Sequence, residues 1–547
     1  MRRLLPPSAR ALGWEVGRQH RWGLVAVAAY AFALAAMWFL DAAWGQPVDD
    51  PGVGRFVGTV AVPLSAAVFY LLALFSFGFA GDLTARQSMY PARLFTLPVT
   101  TAALAGWPML YGTVSMTVLV AAARLAAWPG GFEVPLWGVL FGAVVMAWMQ
   151  ALTWTAYPIR GLRVVAAVGW LTVMDVVSVI AIELEPAESL MAVILAPQLP
   201  LAYFAARRAV SRARRGDLPE WGGAAVTLAR ATDALRNRRR PFATPAEAQA
   251  WSEWRQHGWS LPVWVAVVLP FASMLLFIDG DAPAFVFITL VVMLLTPPVM
   301  AAFVGVTLGR ASDRGSRAYG VSPFLATRPL TSAALIAAKL RVALLSTLAA
   351  WLLVGIAVPL ALGLSDAWPA VVDRARQARD IIGAPRVAII ALLTLGMLVA
   401  ATWKRLVLGM YVGLSGRVWL VRTHLGVTLA LLVAVIPVGD WIMGSSDVFW
   451  ALWNAAPWIA GVLVSLKVAA AVWVSGRLDR ARLVGPRTLV GGAACWLVAV
   501  MALYALLVWI AASPHVPRYA LMLIAVLAVP LARLSAAPLA LAWNRHR

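Results

Sequence analysis

A chain of 547 residues in which 62% are hydrophobic and only 13% are charged is not a soluble globular domain, because it has too few charged residues to cover such a fold. The net charge of +21 would suggest nucleic acid in a soluble protein, but basic residues also accumulate in the inner loops of membrane proteins. Cys495 is the single cysteine, which excludes a disulfide framework and a cysteine-based metal site.

The apolar runs predict an all-α polytopic integral membrane protein of about fourteen spans, each needing about 20 apolar residues. Residues 1–22 are basic and lack a signal-peptide cleavage site, so we expect an inner N-terminus with an interfacial amphipathic helix at 8–22. The first six spans are predicted at 23–41, 56–80, 102–126, 135–157, 163–183 and 188–206. The others are predicted at 259–278, 283–308, 332–363, 387–403, 417–438, 448–475, 488–512 and 518–540.

An internal duplication organises these spans. Residues 14–24 read WEVGRQHRWGL and residues 251–261 read WSEWRQHGWSL, with six identities in eleven aligned positions. Two further pairs of segments match: 97–110 with 328–340, and 151–154 with 400–403. We therefore predict two parallel six-helix repeats. The predicted parts are a first repeat at 1–206, a basic linker at 207–246, a second repeat at 247–487 and two extra spans at 488–547.

The distribution of charge predicts the orientation, since Lys and Arg concentrate in cytoplasmic loops. It predicts cytoplasmic termini and a cytoplasmic segment at 207–258, with 42–55 and 364–386 outside. The 364–386 loop is the exception, because it carries four Arg. Its apolar stripe, formed by Val371, Ala375, Ala378 and Ile382, indicates an external interfacial helix, with Arg376 and Asp380 as an i,i+4 pair.

The chain lacks the motifs of an ATPase or a hydrolase. Its three lysines are Lys339, Lys404 and Lys467, and none follows a glycine as a P-loop requires. Neither HExxH nor Gly-x-Ser-x-Gly occurs. Asp175 and Lys467 are the candidate charges inside the membrane. Lys339 lies near the end of a span, where we expect it to snorkel towards water.

A basic amphipathic elbow is followed by two spans, a loop reading ARQSMYPARLFTLPVT at 85–100, and four more spans. In this order of segments, residues 1–487 resemble the membrane subunits of type-2 ATP-binding-cassette exporters. The second repeat has DRGSRAYGVSPFLATRPLT at 313–331 in the same place. In that family the elbow and the loop after the second span lie against a separate ATPase.

The resemblance implies a translocation subunit that is not itself an enzyme and holds no cofactor, with ATP and Mg²⁺ bound by the ATPase partner. It also implies residence in a bacterial inner membrane. Membrane lipids are expected partners, nucleic acid is not, and the fused halves make a second permease chain unnecessary. The implied docking residues are Arg18, Arg86, Tyr90, Arg93, Pro98, Arg255, Arg314, Arg317 and Pro329.

Two other functions stay open. An ion-coupled secondary transporter would rely on Asp175 as its buried titratable group. A membrane-embedded enzyme acting on lipid-linked substrates would need a cluster of acids, His or Arg at one face, and only the 364–386 loop offers anything similar. The basic loops also have a simpler interpretation, in which their charge serves only to orient the spans.

Overall fold

The structure is a computed structural model that describes residues 6–44, 62–77, 83–127, 135–217, 242–278, 283–309, 331–415, 445–480, 485–510 and 517–529, with scattered residues between 417 and 442. These residues divide into two compact units. The first lies within Met1–Arg240 and Leu432–Asp440, and the second within Pro241–Leu431 and Trp441–Arg547. The boundary falls inside the predicted linker.

The first unit is built around one central helix. Its helices are α1 (Pro7–Trp44), α2 (Val62–Phe75), α3 (Thr101–Ala127), α4 (Trp137–Trp154), α5 (Leu162–Leu184), α6 (Glu188–Leu195) and α7 (Gln198–Arg215), with a 3₁₀ turn at Ala92–Thr96. Helix α3 contacts α1, α2, α4 and α7. The span predicted at 188–206 is interrupted between α6 and α7, at Pro197, which has no amide hydrogen with which to continue a helix.

The second unit has a core of four long apolar helices. Its helices are α8 (Pro245–Glu253), α9 (Ser260–Ile278), α10 (Pro283–Val304), α11 (Ser332–Leu364), α12 (Trp368–Ile382), α13 (Ala384–Leu414), α14 (Ser446–Arg480), α15 (Pro486–Ile510) and α16 (Arg518–Ala528). A π-helical turn at Trp254–Gly258 follows α8, and a 3₁₀ turn at Gly305–Gly309 follows α10. Helices α9, α10, α11 and α13 supply most of the buried core.

The described residues fold as helices joined by turns, and no strand occurs among them. Ten of their helical segments are long and apolar enough to cross a membrane, and three shorter apolar helices accompany them. The chain is therefore an all-α polytopic membrane protein. The number of fourteen spans and the parallel repeats remain predictions.

Both Arg-Gln-His motifs lie where a helix is irregular. Helix α1 continues from the predicted elbow into the first span, with a kink at His20, whose backbone angles are φ −121° and ψ 19°. In the second unit the motif lies in the π-helical turn between α8 and α9. Both departures from α-helical geometry redirect the chain between a polar helix and an apolar one.

Helix α13 is longer than predicted. The span was predicted at 387–403, but the helix continues to Leu414 through Lys404 and Arg405. Lys and Arg are good helix formers, so a change in hydropathy does not end a helix. The added turns are buried because Gly409 packs directly on the backbone of Gly305, and a Cβ built on Gly409 would lie 2.7 Å from the Gly305 Cα.

The predicted helix of the 364–386 loop is present as α12. At 15 residues it is shorter than a span, as an interfacial helix can be. The observed partner of Arg376 is Asp373, at 3.1 Å, in place of the predicted Asp380. The side of the membrane on which α12 lies remains a prediction.

We predict that Gly409→Ala destabilises the second unit by about 1–3 kcal/mol, the usual cost of overpacking, because the methyl group would overlap the Gly305 backbone. The matched control is Gly396→Ala on the same helix, where a Cβ meets nothing within 4 Å and no loss is expected. The measurement is the thermal unfolding temperature in detergent. Equal unfolding temperatures for the two variants would contradict the close approach of α13 to Gly305.

Candidate functional site

The 83–100 loop, which leads into α3, has a fixed base. The Met89 amide donates to the Thr153 carbonyl at 3.3 Å, and the Ser88 hydroxyl donates to the Trp154 carbonyl. Both contacts attach the loop to the end of α4. The exposed residues of the loop are Gln87, Ala92, Arg93, Thr96, Pro98 and Thr100. The loop therefore presents a largely polar edge from an anchored backbone.

An aromatic cluster lies beneath this edge. The Tyr90 ring meets Phe77 and Trp154 edge to face, with centroids 5.4 and 5.2 Å away, and stacks on Phe95 at 5.3 Å. Such pairs stabilise the fold beyond the area that they bury. Tyr90 is one of the predicted docking residues, but its side chain is only 3% exposed. Tyr90 can therefore hold the exposed edge of the loop in place from beneath, but its side chain is not part of that exposed edge.

A proline in α3 explains the hydrogen bond of Tyr90. Pro108 has no amide hydrogen, so the Leu104 carbonyl four residues earlier lacks its usual helical donor. The Tyr90 hydroxyl donates to that carbonyl at 2.8 Å. The Gln150 side-chain amide donates to the Pro108 carbonyl at 3.0 Å and to the Phe75 carbonyl at 3.3 Å. Tyr90 thus satisfies the carbonyl that Pro108 frees, and Gln150 joins α4 to α3 and α2 beside it.

The elbow part of α1 contacts the 83–100 loop. Glu15 accepts from Arg93 at 2.9 Å and from Arg18 at 3.4 Å. The Arg18 guanidinium also lies over the Trp14 ring, 4.8 Å from its centroid. The structure therefore brings together Arg18 and Arg93, two of the predicted docking residues, on one carboxylate.

Arg86 and Arg163 join this loop to the one between α4 and α5. Arg86 is half-buried, and its carbonyl accepts from the Tyr157 amide at 2.8 Å. Arg163 is buried and lies over the Tyr157 ring, 5.6 Å from its centroid. Burial raises the pKa of Tyr157, and the Arg163 charge partly opposes that rise. The sequence patterns did not predict a role for Arg163. The signal that could have found it is its position, since it follows Arg160 and lies within the start of an apolar span.

The second unit repeats part of this geometry. The Arg255 guanidinium lies over the Trp251 ring at 4.7 Å, as Arg18 does over Trp14. The Thr331 side chain accepts from the Ala334 amide at the start of α11, at 3.2 Å. Thr100 accepts from the Ala103 amide in the same way before α3. The predicted docking residues Arg314, Arg317 and Pro329 lie outside the described residues.

Lys339 is placed differently from the prediction. The sequence predicts a snorkelling lysine, but its ammonium is buried and pairs with Glu253 at 2.8 Å, where the two side chains are 7% and 5% exposed. Lys339 also donates to the Leu308 carbonyl at 2.9 Å, and Gln249 donates to Glu253 at 2.9 Å. The pair binds α8 to α11 and to the 3₁₀ turn after α10. The prediction was wrong because hydropathy alone does not identify a buried acidic partner.

Asp175 is the one predicted intramembrane acid, and it is 8% exposed within α5. Its Oδ2 atom has no hydrogen-bond partner among the described residues. The Ser178 hydroxyl donates to the Asp175 backbone carbonyl at 2.8 Å, which leaves the carboxyl group unaffected. A buried carboxyl with an unused acceptor is costly in an apolar environment.

Lys467 is placed at a helix end. Its ammonium donates to the carbonyls of Val526, Leu527 and Val529, where α16 finishes. The Trp496 indole donates to the Val529 carbonyl at 3.1 Å. Because the last carbonyls of a helix lack helical donors, a cation placed there stabilises it. Lys467 therefore attaches the end of α16 to α14, and Trp496 of α15 contacts the same carbonyl as Lys467 does.

No group of three or more His, Cys, Asp or Glu residues that could hold a metal ion occurs in the part of the chain that the structure describes. The polar side chains gathered at the 83–100 loop are mainly arginines, hydroxyls and amides, with Glu15 as the acid. These groups recognise charged or polar surfaces more readily than they coordinate a cation.

We predict that Tyr90→Phe lowers the free energy of unfolding by about 1–3 kcal/mol, because the buried Leu104 carbonyl loses its donor. Burial raises the pKa of Tyr90, so the folded protein keeps this proton. The stabilisation is complete below the unfolded phenol pKa of about 10 and is lost as the pH rises further. The difference between wild type and variant should therefore shrink above that pH.

Thermal unfolding from neutral to alkaline pH provides the measurement. The control is Tyr203→Phe, on α7, a half-buried tyrosine that packs near Gly106. If both variants unfold at the wild-type temperature at neutral pH, the Tyr90 hydroxyl is not the donor that the kinked helix requires.

Comparison with protein-family models, with curated proteins and with solved structures finds no match to this chain.

Proposed function

We propose that this chain is the translocation subunit of an ATP-binding-cassette exporter, powered by ATPase subunits on separate chains. The observation that carries the proposal is the anchored 83–100 loop, whose exposed edge stands on the Tyr90 cluster beside the elbow of α1. The resemblance places an ATPase contact at these two segments. A surface already ordered before binding loses little conformational entropy when a partner docks.

Charge on the neighbouring helix supports the same surface. The last turn of α7 carries Arg212, Arg214 and Arg215, and the Arg214 guanidinium donates to the Val99 carbonyl at 2.9 Å. The end of α7 therefore lies next to the loop and makes this face basic. A basic face accelerates the approach of an acidic partner and fixes its orientation.

The second elbow supplies the corresponding contact. Arg255 stacks on Trp251 as Arg18 stacks on Trp14, so each half has a similar arginine beside a redirected helix. A two-fold ATPase dimer requires two similar contacts, and two fused halves supply them without a second permease chain. The ATPase partner binds ATP and Mg²⁺. This chain lies in the cytoplasmic membrane of a bacterium, with both of its termini on the cytoplasmic side.

We predict that Arg93→Glu lowers the amount of co-purified ATPase about tenfold, which corresponds to a loss of about 1.4 kcal/mol. The reversed charge repels Glu15 and removes a cation from the exposed edge. The experiment is a pull-down from detergent-solubilised membranes of the native host, with the ATPase identified by mass spectrometry and ATP hydrolysis.

Arg376→Glu is the matched control, because Arg376 is also an exposed arginine bound to an acid, on α12 of the other unit. Its ATPase yield should equal that of the wild type. If the wild-type chain yields no ATPase, the proposed function is wrong. If Arg93→Glu and Arg376→Glu give the same yield, the 83–100 loop is not the docking surface.

The buried carboxyl of Asp175 favours one second candidate, an ion-coupled secondary transporter. In such a carrier an intramembrane acid binds and releases the coupling ion. The observation that supports this candidate is the Asp175 Oδ2 atom, which accepts no hydrogen bond from the described residues. The proposed exporter instead gives Asp175 a structural role, for which the isosteric amide should suffice.

We predict that liposomes containing the chain alone show no proton flux above empty liposomes when a pH gradient is imposed, as reported by entrapped pyranine. Asp175→Asn should leave this result and ATPase co-purification unchanged. A gradient-driven flux that disappears in Asp175→Asn would replace the exporter with the ion-coupled carrier.

A further inference from the structure

Arg163 occupies a position at which two loops of the first unit meet. Its guanidinium donates to the Leu83 carbonyl at 3.3 Å, to the Thr155 carbonyl at 3.1 Å and to the Gln87 carbonyl, and the residue is only 1% exposed. Leu83 and Gln87 belong to the 83–100 loop, whereas Thr155 belongs to the α4–α5 loop. The planar guanidinium can direct several donors at once, which makes it suited to joining separate segments.

Backbone hydrogen bonds run beside this guanidinium. The Tyr157 amide donates to the Arg86 carbonyl at 2.8 Å, and the Gly161 amide donates to the Thr84 carbonyl at 2.9 Å. Gly161 has a φ of +89° and is the residue from which α5 starts, so the direction of α5 depends on a conformation that favours glycine. The start of α5 is thus attached directly to the 83–100 loop.

This attachment joins two segments that are far apart in the sequence. The 83–100 loop continues into α3, but α5 begins more than sixty residues later along the chain. Without the Arg163 contacts, the loop would be attached to the start of α5 only by these two backbone hydrogen bonds and by the bond from Arg160 to the Thr84 hydroxyl at 3.1 Å. With them, the loop and the first turn of α5 share one buried hydrogen-bonded joint.

We infer that Arg163 is a positioning residue that makes the 83–100 loop and α5 move as one body, so that displacement of the loop by a docked partner is delivered to α5. This transmission rests on the proposed function. Helix α5 carries Asp175 twelve residues beyond Arg163, or about 18 Å along a helix. The joint therefore connects the surface of the 83–100 loop with a helix that is long and apolar enough to cross the membrane.

The test uses the full chain in a Cys495→Ala background, with spin labels at Ala92→Cys on the loop and Ile180→Cys on α5. Both positions are exposed. The interspin distance distribution should be narrow in this reference and clearly broader after Arg163→Gln. Arg208→Gln, which removes an exposed arginine from α7, is the matched control and should leave the distribution narrow.

The ATPase supplies a second readout. Arg163→Gln should retain co-purified ATPase, because the exposed edge of the loop is intact, but should lose the stimulation of ATP hydrolysis by this chain. An unchanged distance distribution, or retained stimulation with a broadened one, overturns the inference. If the reference chain yields no ATPase, the proposed function fails, whereas the distance measurement still decides whether Arg163 joins the loop to α5.

Arg163→Lys covers the case in which Arg163→Gln does not accumulate in the membrane. Lysine keeps the charge but replaces the guanidinium fork with a single ammonium, which cannot reproduce the same set of contacts. The distribution should again broaden. A distribution as narrow as the reference in this variant would show that charge alone holds the two loops together and would overturn the inference.

Discussion

A helix in hydrocarbon cannot leave a backbone carbonyl without a donor, and this constraint explains the positions of Tyr90 and Lys467. Pro108 frees the Leu104 carbonyl, and the Tyr90 hydroxyl satisfies it. Helix α16 ends with free carbonyls, and Lys467 satisfies them. In each case a side chain from another segment donates to a carbonyl that the helix itself leaves without a donor. Such a bond also fixes the position of the segment that supplies the side chain.

The two elbows are held in physically different ways. In the first unit Glu15 and Arg93 form a partly exposed pair, the type that contributes about 0–1 kcal/mol. In the second unit Glu253 and Lys339 are buried and hydrogen-bonded to further groups, so removing either one would leave an uncompensated charge. The first elbow is therefore held to its loop mainly by apolar contacts, with Leu12 buried in the same cluster as Tyr90 and Leu94, whereas the second is also joined to α11 by a buried ion pair. The two similar elbow sequences are thus attached to their surroundings by different contacts.

The two units share the local geometry of their aligned motifs but differ in their tertiary contacts. The Trp-Arg stacks and the threonine caps recur at matching positions because they depend on residues three or four apart along the chain. When Pro98 is aligned on Pro329, Pro108 falls on Lys339, and there the two units differ. Pro108 frees a carbonyl, whereas Lys339 supplies a buried cation. The same aligned position therefore has a different structural role in each unit.

The sequence by itself determined the helical membrane class, the approximate positions of most described spans and the helix at 368–382, because hydropathy and helical periodicity are properties of neighbouring residues. Only the tertiary structure decided that α13 continues to Leu414, that Tyr90 is buried and that Lys339 pairs with Glu253. It also decided the position of Arg163, whose partners Leu83 and Gln87 lie nearly eighty residues away. Such contacts depend on which distant segments meet, and no local pattern encodes that meeting.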